Sequence, residues 1–156
     1  MTAPSATLLG TVETPVAVVD LPTARANAAR VVDYCRRHGL AWRPHVKTHK
    51  SLGIARMQLD AGATGLTVAT LHEAEVMSRV CRDLLLAYPP VGSAKLERLV
   101  GLPEEVRVSV GLESPEVLYP LAQGVQGARK PCGGLVVLEG GGGRVGLRDA
   151  GGGARL

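Results

Sequence analysis

Gly65-Leu66-Thr67-Val68-Ala69 is a short apolar run, Leu71 to Val80 carries apolar side chains at helical spacing, and Asp83-Leu84-Leu85-Leu86-Ala87-Tyr88 is a second apolar run. A helix between two such runs replaces the tight turn of an antiparallel hairpin with a crossover, and crossovers pair strands in parallel. The alternation continues in both directions. Upstream, Pro15 to Asp20 reads as a strand, and from Leu21-Pro22-Thr23 onward Ala24, Ala28, Val31, Val32 and Cys35 recur at helical spacing. Gly39 stops that helix, Leu40-Ala41-Trp42 starts a second extended piece, and Leu52 to Leu59 reads as a helix ending near Gly62. Downstream, Ser93 to Leu99 and Pro115 to Gln123 read as helices, and Val106 to Val110 and Gly134 to Leu138 as strands. About six β/α steps result, which leaves an open doubly wound sheet or a barrel; a closed barrel takes eight units and about 250 residues.

Composition agrees with this class. The 156 residues are 46% hydrophobic but only 3% aromatic, with no Phe, so the core is filled by Val, Leu, Ala and Ile, as parallel sheets are. A net charge of +4, with basic residues mostly scattered and no aromatics interleaved, argues against a nucleic-acid partner. Cys35, Cys81 and Cys132 form no C-x-x-C pair, so neither a disulfide framework nor a thiolate zinc site is indicated, and a reducing cytoplasm is the expected location. No membrane helix or export signal is expected, since no run approaches about 18 apolar residues. Ten of the 20 glycines follow residue 132, which argues against a final packed helix.

Arg43-Pro44-His45-Val46-Lys47-Thr48-His49-Lys50 crowds five basic side chains into eight residues. Like charges disfavour an ammonium ion, and a lysine attacks an aldehyde only as the free amine, so this run suits Schiff-base chemistry at one of its two lysines. A solvated basic loop is the bland alternative. His45 and His49, four apart, could share a metal only if their segment were helical, and Pro44 opposes that. In His72-Glu73-Ala74-Glu75 the second histidine of H-E-x-x-H is missing, and Glu73 and Glu75 read as helix-start and solvent residues. Gly141-Gly142-Gly143-Arg144-Val145-Gly146 formally satisfies G-x-G-x-x-G after a strand, a dinucleotide signature that needs a following helix. Cys35 and Cys81 read as small core residues, and Trp42 and Tyr88 as packing residues that could also line a pocket.

Thr14-Pro15-Val16-Ala17-Val18-Val19-Asp20, the run Arg43 to Lys50, Thr70-Leu71-His72-Glu73-Ala74-Glu75-Val76 and Asp83 to Tyr88 together resemble the start of the D-threonine aldolase and D-serine dehydratase group of fold-type III pyridoxal-phosphate enzymes. The resemblance implies an alanine-racemase-like (β/α) TIM-type barrel, here incomplete, over residues 14–149, between an N-terminal lead (1–13) and a glycine-rich tail (150–156). It implies Lys47 as the covalent anchor of pyridoxal 5'-phosphate, with Arg43, His45 and Thr48 shaping the pocket and His49 and Lys50 facing outward. Leu138-Glu139-Gly140-Gly141-Gly142-Gly143-Arg144-Val145-Gly146 resembles the family's G-x-G-R-x-G turn, which implies Arg144 as the partner of the cofactor's phenolic oxygen. The family usually has an aspartate near Glu139 and less glycine around it. Its phosphate cup, and the C-terminal β-domain with a divalent-metal site, have no counterpart before Leu156. The implied activity is therefore a lyase of small D-amino acids, by aldol cleavage or dehydration, inactive in this portion alone; a racemase or a non-catalytic cofactor-binding remnant are the alternatives. Open barrel edges imply self-association, as a homodimer or otherwise.

Overall fold

In the computed structural model, which describes residues 10–143 and 145–148, three helices start at hydroxyl or carboxylate caps that the sequence supplies. Asp20 Oδ1 accepts from Thr23 N–H at 2.9 Å and opens α1 (Leu21–Arg37), with Pro22 in its first turn. Ser51 Oγ accepts from Ile54 N–H at 3.4 Å and opens α2 (Leu52–Ala61), which Gly62 ends at φ +118. Thr70 Oγ1 accepts from Glu73 N–H at 3.2 Å and opens α3 (Leu71–Met77). The remaining elements are β1 (Leu66–Val68), β2 (Asp83–Leu86), α4 (Ser93–Val100), β3 (Arg107–Leu112), α5 (Pro115–Gly127) and β4 (Cys132–Val136).

The strands form one parallel sheet in the order β1-β2-β3-β4, with Leu66 opposite Leu84, Leu84 opposite Val108 and Val108 opposite Cys132. Side chains alternate across a strand, so this register puts Leu66, Val68, Leu84, Leu86, Val108, Val110 and Leu112 on one face. All seven are buried, in one cluster with Leu71, Ala74 and Met77 of α3, Leu99 of α4 and Leu121 of α5. The helices thus cover a single face of an open arc, consistent with part of a (β/α) barrel. No described helix is long and apolar enough to cross a membrane.

Only four of the six expected strands enter the sheet. Val16, Val18 and Val19 are 45%, 57% and 51% exposed and form no ladder among the described residues. The neighbouring extended piece makes only the isolated parallel bridge His45 to Thr67, flanked by Thr64 N–H to Trp42 O at 2.9 Å and Thr67 N–H to Pro44 O at 2.8 Å. Pro44 has no N–H to donate, and the chain then coils into a 3-10 turn over Val46–Thr48, so this piece offers the Val16 run no regular edge. At the other end β4 has Leu135 and Val136 about half exposed, at 49% and 51%. The glycine-rich tail 150–156 and Arg144 lie outside the described residues.

Candidate functional site

The parallel register orders the face of the sheet away from the helices into rows. Gly65, Asp83 and Arg107 lie in a row at the N-terminal ends of the strands. His45, Thr67, Leu85, Ser109 and Gly133 form the next row. Ala69, Ala87, Gly111 and Leu135 form the row at the C-terminal ends, where Ala87 N–H still bonds Val68 O at 2.9 Å. Lys47 comes two residues after the His45 bridge, in the 3-10 turn by which the chain leaves the sheet on the C-terminal side of that bridge, the side where parallel-barrel active sites gather.

Arg43 goes to the opposite end. Its guanidinium Nη1 lies 3.0 Å from Asp83 Oδ1 and donates to Asp83 O at 3.0 Å, passing directly over Gly65. A Cβ at Gly65 would overlap the guanidinium and stand 2.6 Å from Asp83 O. The sequence reading that put Arg43 around the Lys47 pocket is therefore not matched by its placement: Arg43 ties the extended piece to β2. Gly65→Ala is expected to cost about 2 kcal/mol through this overpacking, seen as a lowered urea midpoint at unchanged slope.

Around Lys47 the turn is built from its neighbours. His45 Nδ1 accepts from Lys47 N–H at 3.3 Å, and His49 Nδ1 accepts from Ser51 N–H at 3.1 Å. Burial is the main cause lowering both imidazoles below the usual 6.5; at His45 the Lys47 charge adds to it and Glu73 opposes it. Thr48 is exposed, and its side chain makes no hydrogen bond among the described residues. Lys50, at φ +50, places its ammonium 3.5 Å from Glu73 Oε1.

Glu73 departs from its sequence reading. It is 5% exposed rather than a solvent residue, and its Oε2 accepts from Ala69 N–H at 2.8 Å. The sequence did hold a signal: Thr70-x-x-Glu73 is the capping-box pattern, in which the acid reaches back over the helix start. Lys50 supplies the opposite charge that a buried carboxylate needs. Lys50 is accordingly engaged, although most of its side chain is exposed, and His49 is half-buried rather than outward-facing.

The chain has four lysines, and three stand apart from the candidate role. Lys50 is paired with Glu73. Lys130 is buried, donating to Leu102 O at 3.0 Å and Pro103 O at 2.6 Å, and desolvation lowers its pKa, with Glu104 and Cys132 opposing. Lys95 sits on α4, on the helix side of the sheet. The Lys47 side chain is exposed and its amine makes no hydrogen bond or ion pair among the described residues. An unpaired, exposed primary amine fits the aldehyde of a cofactor.

Other candidates fare differently. Both histidine Nδ1 atoms are occupied by backbone N–H groups and the segment is not an α-helix, so the two imidazoles do not form the pair of ligands that a shared helix face would give. Among the described residues no group of three His, Cys, Asp or Glu is placed to hold a metal. In the glycine loop Gly143 N–H donates to Glu139 Oε1 at 2.6 Å and Gly146 N–H to Glu113 Oε2 at 2.8 Å. Carboxylates therefore occupy the backbone donors that a dinucleotide phosphate would require. Trp42 lines a cleft with Val32, Cys35 and Leu40 on the α1 side, away from Lys47, while Tyr88 stands at the C-terminal rim. Cys81 is a buried core residue, as its sequence context suggested, and all three cysteines are free thiols.

A family model described as the N-terminal domain of alanine racemase matches residues 19–153. The D-threonine aldolase of Arthrobacter sp is 33% identical over 142 residues, 90% of this chain and 38% of that protein. D-threo-3-hydroxyaspartate dehydratase of Delftia sp. (strain HT23) is 51% identical over 65 residues, 42% of this chain and 17% of that protein. The crystal structure of D-threonine aldolase from Filomicrobium marinum superposes with a TM-score of 0.83 at 31% identity, over 87% of this chain and 37% of that one. The chain thus spans well under half the length of the relatives it matches, and the group that the basic run and the E-A-E segment resemble is the one these relatives represent.

Proposed function

The chain belongs to the alanine racemase N-terminal domain family, and from that premise we propose that residues 14–149 are the cofactor-anchoring part of a pyridoxal-phosphate-dependent lyase of small D-amino acids, acting by aldol cleavage or by dehydration. The observation that carries this reading is the state of Lys47: of the two lysines in the basic run it alone lacks a carboxylate partner, so its amine is available to an aldehyde. The relatives named as D-threonine aldolase and D-threo-3-hydroxyaspartate dehydratase supply the reaction class.

Lys47 would hold the cofactor through its aldehyde carbon. When bound, the cofactor supplies an electron sink for bond cleavage next to an amino group. The rest is placement. The 3-10 turn sets the backbone of Lys47, whose N–H is held by His45 Nδ1. The Glu73 carboxylate, bound to Ala69 N–H and Lys50, ties the end of the turn to the start of α3. Arg144 is assigned to the cofactor's phenolic oxygen, and the divalent metal to the family's C-terminal domain. The half-exposed β4 edge is where self-association would form.

Titration with pyridoxal phosphate tests the reading. A saturable near-visible absorbance band is expected, and D-threonine or D-serine, but not their L-enantiomers, should perturb it. A chain that gives no band at any concentration contradicts it.

A further inference from the structure

We infer that His45 and His49 are two neutral imidazole clasps, one at each end of the turn, that position Lys47 for the aldehyde and release it on protonation. This rests on the proposed function for its purpose, but not for its geometry. An imidazole nitrogen that accepts an N–H bond carries no hydrogen, so Nδ1 of His45, 3.3 Å from Lys47 N, and Nδ1 of His49, 3.1 Å from Ser51 N, must both be bare. Each ring is then neutral, with its hydrogen on Nε2.

Both bonds run from a side chain to the backbone N–H two residues on, the geometry by which Asn and Asp stabilise a local turn. Such a bond needs an acceptor, and imidazolium has none. The histidines stand on either side of Lys47: His45 is N-cap of the 3-10 turn, and His49 holds Ser51, the N-cap of α2. Between His49 and Ser51, Lys50 sits at φ +50, a conformation costly for a side chain with a Cβ, so the turn does not keep its shape through local preference.

The surroundings keep both rings neutral near neutral pH. His45 is faced by Lys47 of its own turn, by Glu73 of α3 and by the backbone of Thr67 on β1; burial and Lys47 favour the neutral ring, and the other two oppose. His49 is faced by Gln58 of α2 and the backbone of Ser51, with burial again dominant. His49 Nε2 and Gln58 Oε1 are both sealed from solvent without a well-formed hydrogen bond, and with a hydrogen already on Nε2 an arriving proton can go only to Nδ1, which must first release Ser51 N–H. A histidine whose folded pKa lies below its unfolded 6.5 stabilises the fold fully above that pH and loses the contribution as pH falls through the folded value. The clasps therefore open on the acid side.

The test is amide hydrogen exchange, site by site, on the chain without cofactor, between about pH 7 and about pH 5. Lys47 and Ser51 amides are expected to lose about 10-fold in protection relative to Leu86 of β2 as the pH falls, the scale of one net hydrogen bond. His49→Asn, whose Oδ1 replaces Nδ1 and does not titrate, should keep Ser51 protected throughout, whereas His49→Gln should lose it at every pH. Imidazole nitrogen shifts showing hydrogen on Nδ1, or protection independent of pH in the parent chain, would overturn the clasps. Capture of pyridoxal phosphate gives the second readout: it should fall more steeply with acid in the parent chain than in the double His45→Asn, His49→Asn variant, and equal slopes would reduce the histidines to fold elements. If the amides respond as expected while Lys47 captures no aldehyde, the clasps stand and the proposed function falls.

Discussion

Lys47→Ala is expected to abolish the absorbance band formed with pyridoxal phosphate while leaving the urea midpoint nearly unchanged. Lys47 is exposed and its amine bonds to nothing among the described residues, so its removal costs no packing. Its loss also takes away the Coulombic push that helps hold His45 neutral, a small effect beside the loss of the reacting atom. Lys50→Ala makes the contrast. It should keep the band and instead lower the midpoint, because the Glu73 carboxylate, with 6% of its side chain exposed, would be left with Ala69 N–H and no opposite charge. If the two variants exchanged phenotypes, the anchor would be Lys50 and the ion pair incidental.

Leu84→Ala is expected to cost about 3 kcal/mol, within the range for deleting a buried leucine side chain. Leu84 is fully buried in β2, with Leu66 on one side of it and Val108 on the other in the sheet register. These two neighbours cannot collapse into the gap, because the parallel ladders fix their backbones and α3 roofs the same face. Against a total stability of about 5–15 kcal/mol for a domain, the variant should be substantially unfolded in moderate urea. A loss under about 1 kcal/mol would mean that this face is not the core.

Much of the sheet was legible in residues 65–88, because Leu66 and Val68, then Leu84 and Leu86, alternate with less buried partners on either side of a helix that cannot be a hairpin turn. Helix starts at Leu21, Leu52 and Leu71 were legible from apolar spacing, and the structure adds the caps before them, Asp20, Ser51 and Thr70. The Val16 run was misread because β-propensity states a preference for a pleated surface and says nothing of whether a neighbouring strand is available. Pro44 limits that neighbour to a single bridge.

The site was legible in part. Arg43, His45 and Lys47 fall within five residues, but the chain passes from an extended piece into a 3-10 turn between them, and Arg43 ends on Asp83 at the N-terminal end of the sheet. No spacing rule carries that information, since Asp83 lies 40 residues away. Glu73 was underrated because a carboxylate is usually solvated. Its burial depends on Lys50 and Ala69 N–H, which the fold brings together.

Borohydride reduction of the chain with pyridoxal phosphate, followed by mass mapping of the labelled peptide, is the most direct test of the anchor. With four lysines in the sequence, the expected result is one label, on Lys47. Label on Lys50, Lys95 or Lys130 in its place, or spread evenly among them, would contradict the account.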